Sequence, residues 1–395
     1  MQIPVWGDAE VGPGPVPATG VDALLEGLSR DQRRAVTHGD GPLLVVAGAG
    51  TGKTQVITRR IAWLIATRRA RPSEILALTF TDKAAEEMQA RVDRLVPYGF
   101  TDAAISTFHA FGDRVLRESA LELGLPTDVR VLSRPETVLF LRERLFAFDL
   151  DLYRPLGDPT RFLDALAAHF SRCKDEDVSP DDYAEFVRRL VRAAAEAEAR
   201  GTAPGSSAAD REAAEVAVDV ARRQGELAAA YARYQGLMAE AGHVDFGDQV
   251  SLALRLIRES PSARERLRAR YRYILVDEFQ DTNRVQWELV ALLADPSRNL
   301  TVVGDDDQSI YRFRGAAISN ILGFLDRYPR AVKVVLRRNY RSRAPILDAA
   351  YRLIRFNDPD RLEVRAGIVK RLVAVRRGGR ATPVRHRAFA TGQHS

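Results

Sequence analysis

Short apolar runs recur along the chain, at Leu43–Ala47, Ile75–Phe80, Tyr273–Val276, Leu300–Val303 and Val332–Leu336. Each is too short for a helix and has the length of a strand buried on both faces. Segments with helical periodicity alternate with them, over Lys53–Thr67, Lys83–Leu95, Val285–Leu293 and Ala317–Asp326. Strands without polar alternation, interleaved with helices, predict an α/β fold with a parallel sheet covered on both faces. From about Gly112 to Ala241 the pattern changes. That stretch is rich in Ala, Arg and Glu, helical in period as over Ala208–Ala241, and has no strand run. Gly201–Ser207 reads as a flexible loop between its helices. Because the α/β pattern then resumes, 112–241 is predicted to be a helical domain inserted into an α/β domain made of 21–111 and 242–337. Residues 1–20, rich in Pro and Gly, read as a disordered leader. Residues 338–395 read as the opening of a further domain, basic and low in strand or helix signal over the last twenty.

The first apolar run leads straight into Ala47-Gly48-Ala49-Gly50-Thr51-Gly52-Lys53-Thr54 and then a helix. Strand, glycine loop and helix in that order make a phosphate cradle of the Walker A kind. Glycines let successive N–H groups turn inward around phosphate oxygens, and the helix N-terminus adds its dipole. Lys53 is placed to reach the β- and γ-phosphates of ATP, and the Thr54 hydroxyl to bind Mg²⁺. Ala47 stands where such loops begin with glycine. Tyr273–Val276 ends in Asp277-Glu278. An acidic pair at a strand end suits Asp277 to hold Mg²⁺ and Glu278 to polarise the attacking water as general base. Lys53 and Asp277 are 224 positions apart, a gap that the predicted insertion fills.

Composition narrows the class without deciding it. Hydrophobic residues make up 46%, ample for a core, and the single cysteine, Cys173, excludes a disulfide framework or a multi-cysteine metal centre. No apolar run approaches the ~18 residues of a membrane span, and Met1–Gly20 lacks the pattern of a signal peptide, so a cytoplasmic location is expected. A net charge of +6 suggests a polyanionic partner. Only five of the 59 basic residues are lysines, Lys53, Lys83, Lys174, Lys333 and Lys370, so each one stands out.

Several further segments are specific in combination. They are Leu28-Ser29-Arg30-Asp31-Gln32-Arg33-Arg34-Ala35-Val36, Leu78-Thr79-Phe80-Thr81-Asp82-Lys83-Ala84-Ala85, Ser106-Thr107-Phe108-His109-Ala110-Phe111 and Asp245-Phe246-Gly247-Asp248. Downstream come Val276-Asp277-Glu278-Phe279-Gln280-Asp281-Thr282-Asn283, the run Val303–Ala316, and Arg338-Asn339-Tyr340-Arg341-Ser342. In content and order, from about Leu28 to Gly378, they resemble the motifs of the UvrD/Rep/PcrA family of superfamily 1 DNA helicases.

The resemblance implies a RecA-like P-loop sheet interrupted by a helical domain, with the start of a second RecA-like domain at the C-terminus. It implies that Gln32 reads adenine, that Tyr340 stacks on it, that Gln308 senses the γ-phosphate and that Arg341 is an arginine finger. It places Phe80, Thr107, His109, Tyr311, Phe313 and Arg314 on a single-strand DNA track, with aromatics stacking on bases. On the residues alone Phe80 equally suits a core position and His109 a helix cap. Two positions depart from the family pattern: Asp82 where Asn is usual, and Phe313 where Trp is common.

The function implied is ATP-dependent translocation and unwinding, on single-stranded DNA and single/double-strand junctions, with repair or recombination proteins as partners. A small-molecule P-loop kinase has no evident use for the Gln308–Arg314 segment. A helicase portion of a RecB/AddA-like nuclease–helicase and a non-catalytic DNA-binding fragment both remain open. The family's later motifs are not among these 395 residues. The second motor domain is therefore expected to be cut short, and Arg341 to be loosely held.

Overall fold

The structure, a computed structural model, describes residues 18–96, 102–126, 128–309 and 319–376. Its strands in chain order are β1 (Leu43–Ala47), β2 (Ile75–Thr79), β3 (Ala104–Thr107), β4 (Arg130–Leu132), β5 (His243–Asp245), β6 (Tyr273–Val276), β7 (Leu300–Gly304), β8 (Val332–Leu336), β9 (Arg338–Asn339) and β10 (Val373–Ala374). Among the described residues, six form one parallel sheet in the order β3-β2-β6-β7-β1-β8.

The unalternated strands are explained by what covers them. Leu44, Val46, Leu76, Leu78, Ile274 and Val276 pack into one core with the helices Phe246–Glu259, Arg284–Ala294 and Ser319–Arg327. Their neighbours Leu43, Val45, Ile75, Ala77 and Leu275 pack into a second core with Arg30–Val36, Lys53–Ala66 and Asp82–Asp93. Each fully buried Leu, Ile or Val contributes about 1.5–3 kcal/mol of transfer free energy. An unpaired polar residue would cost on either face, so the strands are predominantly apolar, and the buried Thr301 has its hydroxyl paired, accepting from Arg60 Nε at 3.0 Å.

β3 is the strand that the apolar pattern does not announce. Ala104-Ile105-Ser106-Thr107 sits at the sheet edge with three of its four residues only half buried, so it needs no large apolar side chains.

The insertion has its own core, in which Phe170 stacks on Tyr231 and Tyr234 with ring centroids 5.5 and 5.0 Å apart. Its long helices Pro180–Thr202 and Ala208–Glu240 start at the capping boxes of Ser179 and Ser207 and pack on each other. The expected loop at Gly201–Ser207 therefore shortens, since the first helix runs on to Thr202. The expected edge at Gly112 falls inside the helix Phe108–Ser119, whose Phe111 and Val115 belong to the sheet's core. A Cβ on Gly112 would come 2.4 Å from the Gln249 carbonyl oxygen, so glycine is what lets these helices cross closely. The insertion is also not free of strands. β4 pairs in parallel with β5 where the chain leaves and returns, and three residues are too few to show as a pattern.

Of the expected leader, residues 1–17 lie outside the described residues, and its end opens the helix Ala18–Leu25. Residues 377–395 also lie outside them. No helix among the described residues is long and apolar enough to cross a membrane.

Candidate nucleotide site

Parallel strands gather their carboxyl ends at one edge, where an open α/β sheet binds ligands. Here that edge receives the glycine loop from β1, Phe80–Asp82 from β2, Thr107 from β3, Asp277-Glu278 from β6 and Asp305 from β7. Residues separated by more than 200 positions thus share one cleft.

The loop takes the shape its glycines permit. Gly50 and Gly52 have φ of +74° and +88°, and Gly52 caps the helix beginning at Lys53 without a side chain of its own. That leaves the first helical N–H groups directed at the cleft. Ala47 is fully buried as the last residue of β1, so a methyl group fits there. Gly48 has Leu372 against it, and Thr51 closes the turn by donating its hydroxyl to the Gly48 carbonyl at 2.7 Å.

Lys53 Nζ donates to Glu278 Oε2 at 2.6 Å and to Gln308 Oε1 at 3.3 Å. The lysine, the general-base candidate and the sensor candidate are therefore one hydrogen-bonded group. Glu278 has a φ of +49°, a left-handed conformation that costs on the order of 1 kcal/mol in a residue with a side chain. Beside it, Asp277 accepts the Glu278 N–H at 3.0 Å and is buried. Burial, then the Glu278 charge, push the Asp277 carboxyl up to about 6, while Lys53 opposes them. A buried carboxylate with only partial compensation suits a hard divalent cation, which prefers oxygen ligands. Asp277 and the Thr54 hydroxyl would hold Mg²⁺, which would neutralise charge on the phosphates.

The residues at positions 28–329 match the UvrD/REP helicase N-terminal domain family. The chain belongs to that family. It is similar to the ATP-dependent DNA helicase PcrA of Bacillus subtilis, 38% identical over 334 residues, or 85% of this chain and 40% of that protein. The proteins of that name from Leuconostoc citreum and Staphylococcus aureus are 36% and 35% identical over 339 and 337 residues, covering 86% and 85% of this chain and 40% and 41% of theirs. The chain thus spans about two fifths of the length of these relatives.

Within this family member the residues expected to meet adenine are placed unequally. Gln32 is buried, donating to the Thr51 carbonyl at 3.0 Å and accepting the Ser29 N–H at 2.9 Å. Its amide thus braces the glycine loop against the helix Arg30–Val36. Tyr340 is exposed, and its N–H donates to the Gly50 carbonyl at 2.9 Å. Arg341 is also exposed, next to the loop.

On the proposed DNA side, Thr107 caps the helix Phe108–Ser119, accepting the Ala110 N–H at 3.2 Å. His109 lies edge-on to Phe246 at 6.1 Å. Burial lowers the His109 pKa against the pull of Asp82. Phe80 is half buried just beyond β2. Tyr311, Phe313 and Arg314 lie outside the described residues.

Three side chains outside the expected set tie elements of the structure together. Gln280 donates to Glu278 and Asp281 at 2.8 and 3.1 Å and accepts the Asp305 N–H at 3.0 Å, tying β6 to β7. Gly304 leaves room for it, since a Cβ there would meet Gln280 Oε1 at 2.7 Å. Lys174 lies buried between Asp245 and Asp248 at 2.6 and 2.8 Å, joining the insertion to the α/β domain. Lys370 is buried among Asp305, Asp306 and Asp307. The scarcity of lysine was the available signal for the last two.

Proposed function

We propose that this chain is the ATP-binding part of a DNA helicase that binds Mg·ATP and single-stranded DNA and couples hydrolysis to strand translocation and unwinding. We assign 21–119 and 242–337 to the ATP-binding domain, because the helix Phe108–Ser119 packs in its core, 120–241 to the inserted helical domain and 338–395 to the opening of a second RecA-like domain. Repair or recombination is the setting that fits such an activity, in the cytoplasm.

The observation that carries the reading is the contact of Lys53 with both Glu278 and Gln308. Without nucleotide the lysine needs an anion, and Glu278 supplies one. An incoming phosphate competes for the same ammonium, which frees the Glu278 carboxylate to accept a proton from water. Gln308, held by donation to Asp305 at 2.6 Å, can then turn its amide toward the terminal phosphate. Arg341, across the loop, suits the charge that builds up on the transferred group.

Two substitutions separate binding from chemistry. Lys53→Ala should weaken nucleotide binding, because the phosphate charge loses its partner. Glu278→Gln should bind Mg·ATP and lose about 10²–10⁴-fold in DNA-stimulated hydrolysis, the usual worth of a general base. Unaltered hydrolysis in Glu278→Gln would refute the assignment of the base.

A further inference from the structure

Lys370 and Arg361 lie outside every motif considered above, yet they are 7% and 3% exposed and face the turn that ends in Gln308. The carboxylates of Asp305, Asp306 and Asp307 crowd within 4.8 Å of one another. Lys370 Nζ pairs with Asp305 at 3.2 Å, with Asp307 at 2.9 Å and with Asp306. Arg361 grips Asp307 with two parallel bonds of 2.8 and 3.0 Å, and the Leu362 N–H donates to Asp306 at 2.7 Å. Leu362 and Ile368 are buried in the sheet's core, so the strap 361–370 is anchored between its two cations.

The strap then continues to the phosphate loop. Leu372 packs on Gly48, and β10 pairs with β9, where the Val375 N–H donates to the Asn339 carbonyl at 2.9 Å. Asn339 Nδ2 donates to the Ala49 carbonyl at 2.6 Å, and its Oδ1 accepts the N–H groups of Arg341 and Ser342 at 3.0 and 2.7 Å. One short path therefore runs from Gln308 through Asp305 and Lys370 to β9, which leads into Tyr340 and Arg341.

We propose that Lys370 is a positioning residue that locks the Gln308 turn to the Tyr340–Arg341 segment, so that both move together when a γ-phosphate arrives. The clasp between turn and strap stands on its own geometry, whereas its response to γ-phosphate rests on the nucleotide-site reading above. Removing the ammonium leaves three crowded carboxylates with only Arg361 and the Leu362 N–H against them, and their repulsion pushes the turn away from the strap.

The test compares the full chain with Lys370→Met and Lys370→Arg by residue-resolved hydrogen exchange. Without nucleotide, Lys370→Met should speed exchange at the Tyr340 and Gln308 amides about tenfold while leaving β1 unchanged, and Lys370→Arg should restore most of the protection. Unchanged exchange at Tyr340 overturns the clasp whether or not nucleotide binds. In the unmodified chain a non-hydrolysable ATP analogue should protect Tyr340 more than ADP does. Lys370→Met should lose that difference while binding ADP within about twofold of the unmodified affinity. A retained difference overturns the coupling. An unmodified chain that binds neither nucleotide overturns the nucleotide-site reading and the γ-phosphate response together. Should Lys370→Met fail to fold, Lys370→Met/Asp306→Asn removes one charge of each sign. It must show the same loss of protection at Tyr340, or the proposal is wrong.

Discussion

Replacing Asp277 by Asn should make the nucleotide-free protein more stable at the cost of the proposed Mg²⁺ site. The Asp277 carboxyl is 8% exposed and held at about 6 against an ordinary value of 3.8, chiefly by burial and then by the Glu278 charge. A folded-state pKa above the unfolded one means that the native state binds the proton more tightly. Ionised Asp277 therefore destabilises the fold at high pH, and the penalty fades as pH falls through the window from 6 to 3.8. At about 1.4 kcal/mol per pKa unit the penalty is on the order of 3 kcal/mol at pH 8, roughly half that at pH 5 and under about 1 kcal/mol at pH 4. Asparagine has nearly the same shape, carries no charge and can still accept the Glu278 N–H through its amide oxygen.

Urea unfolding of both proteins without nucleotide, at pH 8 and pH 4, reads this directly. Asp277→Asn should gain on the order of 2–3 kcal/mol at pH 8 and little at pH 4. A gain of equal size at both pH values would show that relieved charge is not its source. No gain at pH 8 would refute the reasoning outright. Mg·ATP should reverse the order, since a ligand stabilises only the protein that binds it.

Three further substitutions test other parts of the structure. Gly112→Ala would set a Cβ 2.4 Å from the Gln249 carbonyl oxygen and should cost about 1–3 kcal/mol in thermal or urea unfolding, whereas a neutral change would contradict the close helix crossing. Gln32→Ala should narrow any preference for ATP over GTP and, by unbracing the loop, cost about 1 kcal/mol in stability. If only stability changes in nucleotide titrations, Gln32 braces the loop and does not read the base. Replacing Tyr311 and Phe313 together by Ala should weaken single-strand DNA binding more than duplex binding, as measured by fluorescence anisotropy at fixed salt. An equal loss on both would assign those aromatics a structural role.

Much of the α/β architecture was legible because burial on both faces leaves a strong mark. Five of the six sheet strands are predominantly apolar runs, broken only by Thr79, Thr301 and Lys333, and the phosphate loop interrupts its pattern with glycines at the positions where positive φ is needed. β3 was not legible, because an edge strand carries less apolar demand. The interior of the insertion was readable as helical from its period. Its limits were not, since the helix Phe108–Ser119 is amphipathic whichever core it packs against. The contacts among site residues were the least readable part. Gln280 and Lys370 act through partners 25 to 65 positions away, and no local pattern encodes that distance.

The expectation that Arg341 would be loosely held does not extend to its backbone, which is fixed for a reason that lies in the phosphate loop itself. It assumed that a segment with little core of its own has nothing to order it. A loop that turns its N–H groups inward toward phosphate turns carbonyl oxygens outward, and those acceptors need donors if they are not to be left unpaired. The Asn339 side chain and the Tyr340 N–H supply them to Ala49 and Gly50. Asn339 then spends its own carbonyl oxygen on the N–H groups of Arg341 and Ser342, fixing the backbone of the arginine while leaving its guanidinium in solvent. Gly50 serves both sides. Its φ of +74° shapes the cradle, and its missing side chain admits the crossing segment, because a Cβ there would sit 2.6 Å from that of Arg341. The loop that would grip the nucleotide is thus also the surface on which its opposite wall is built.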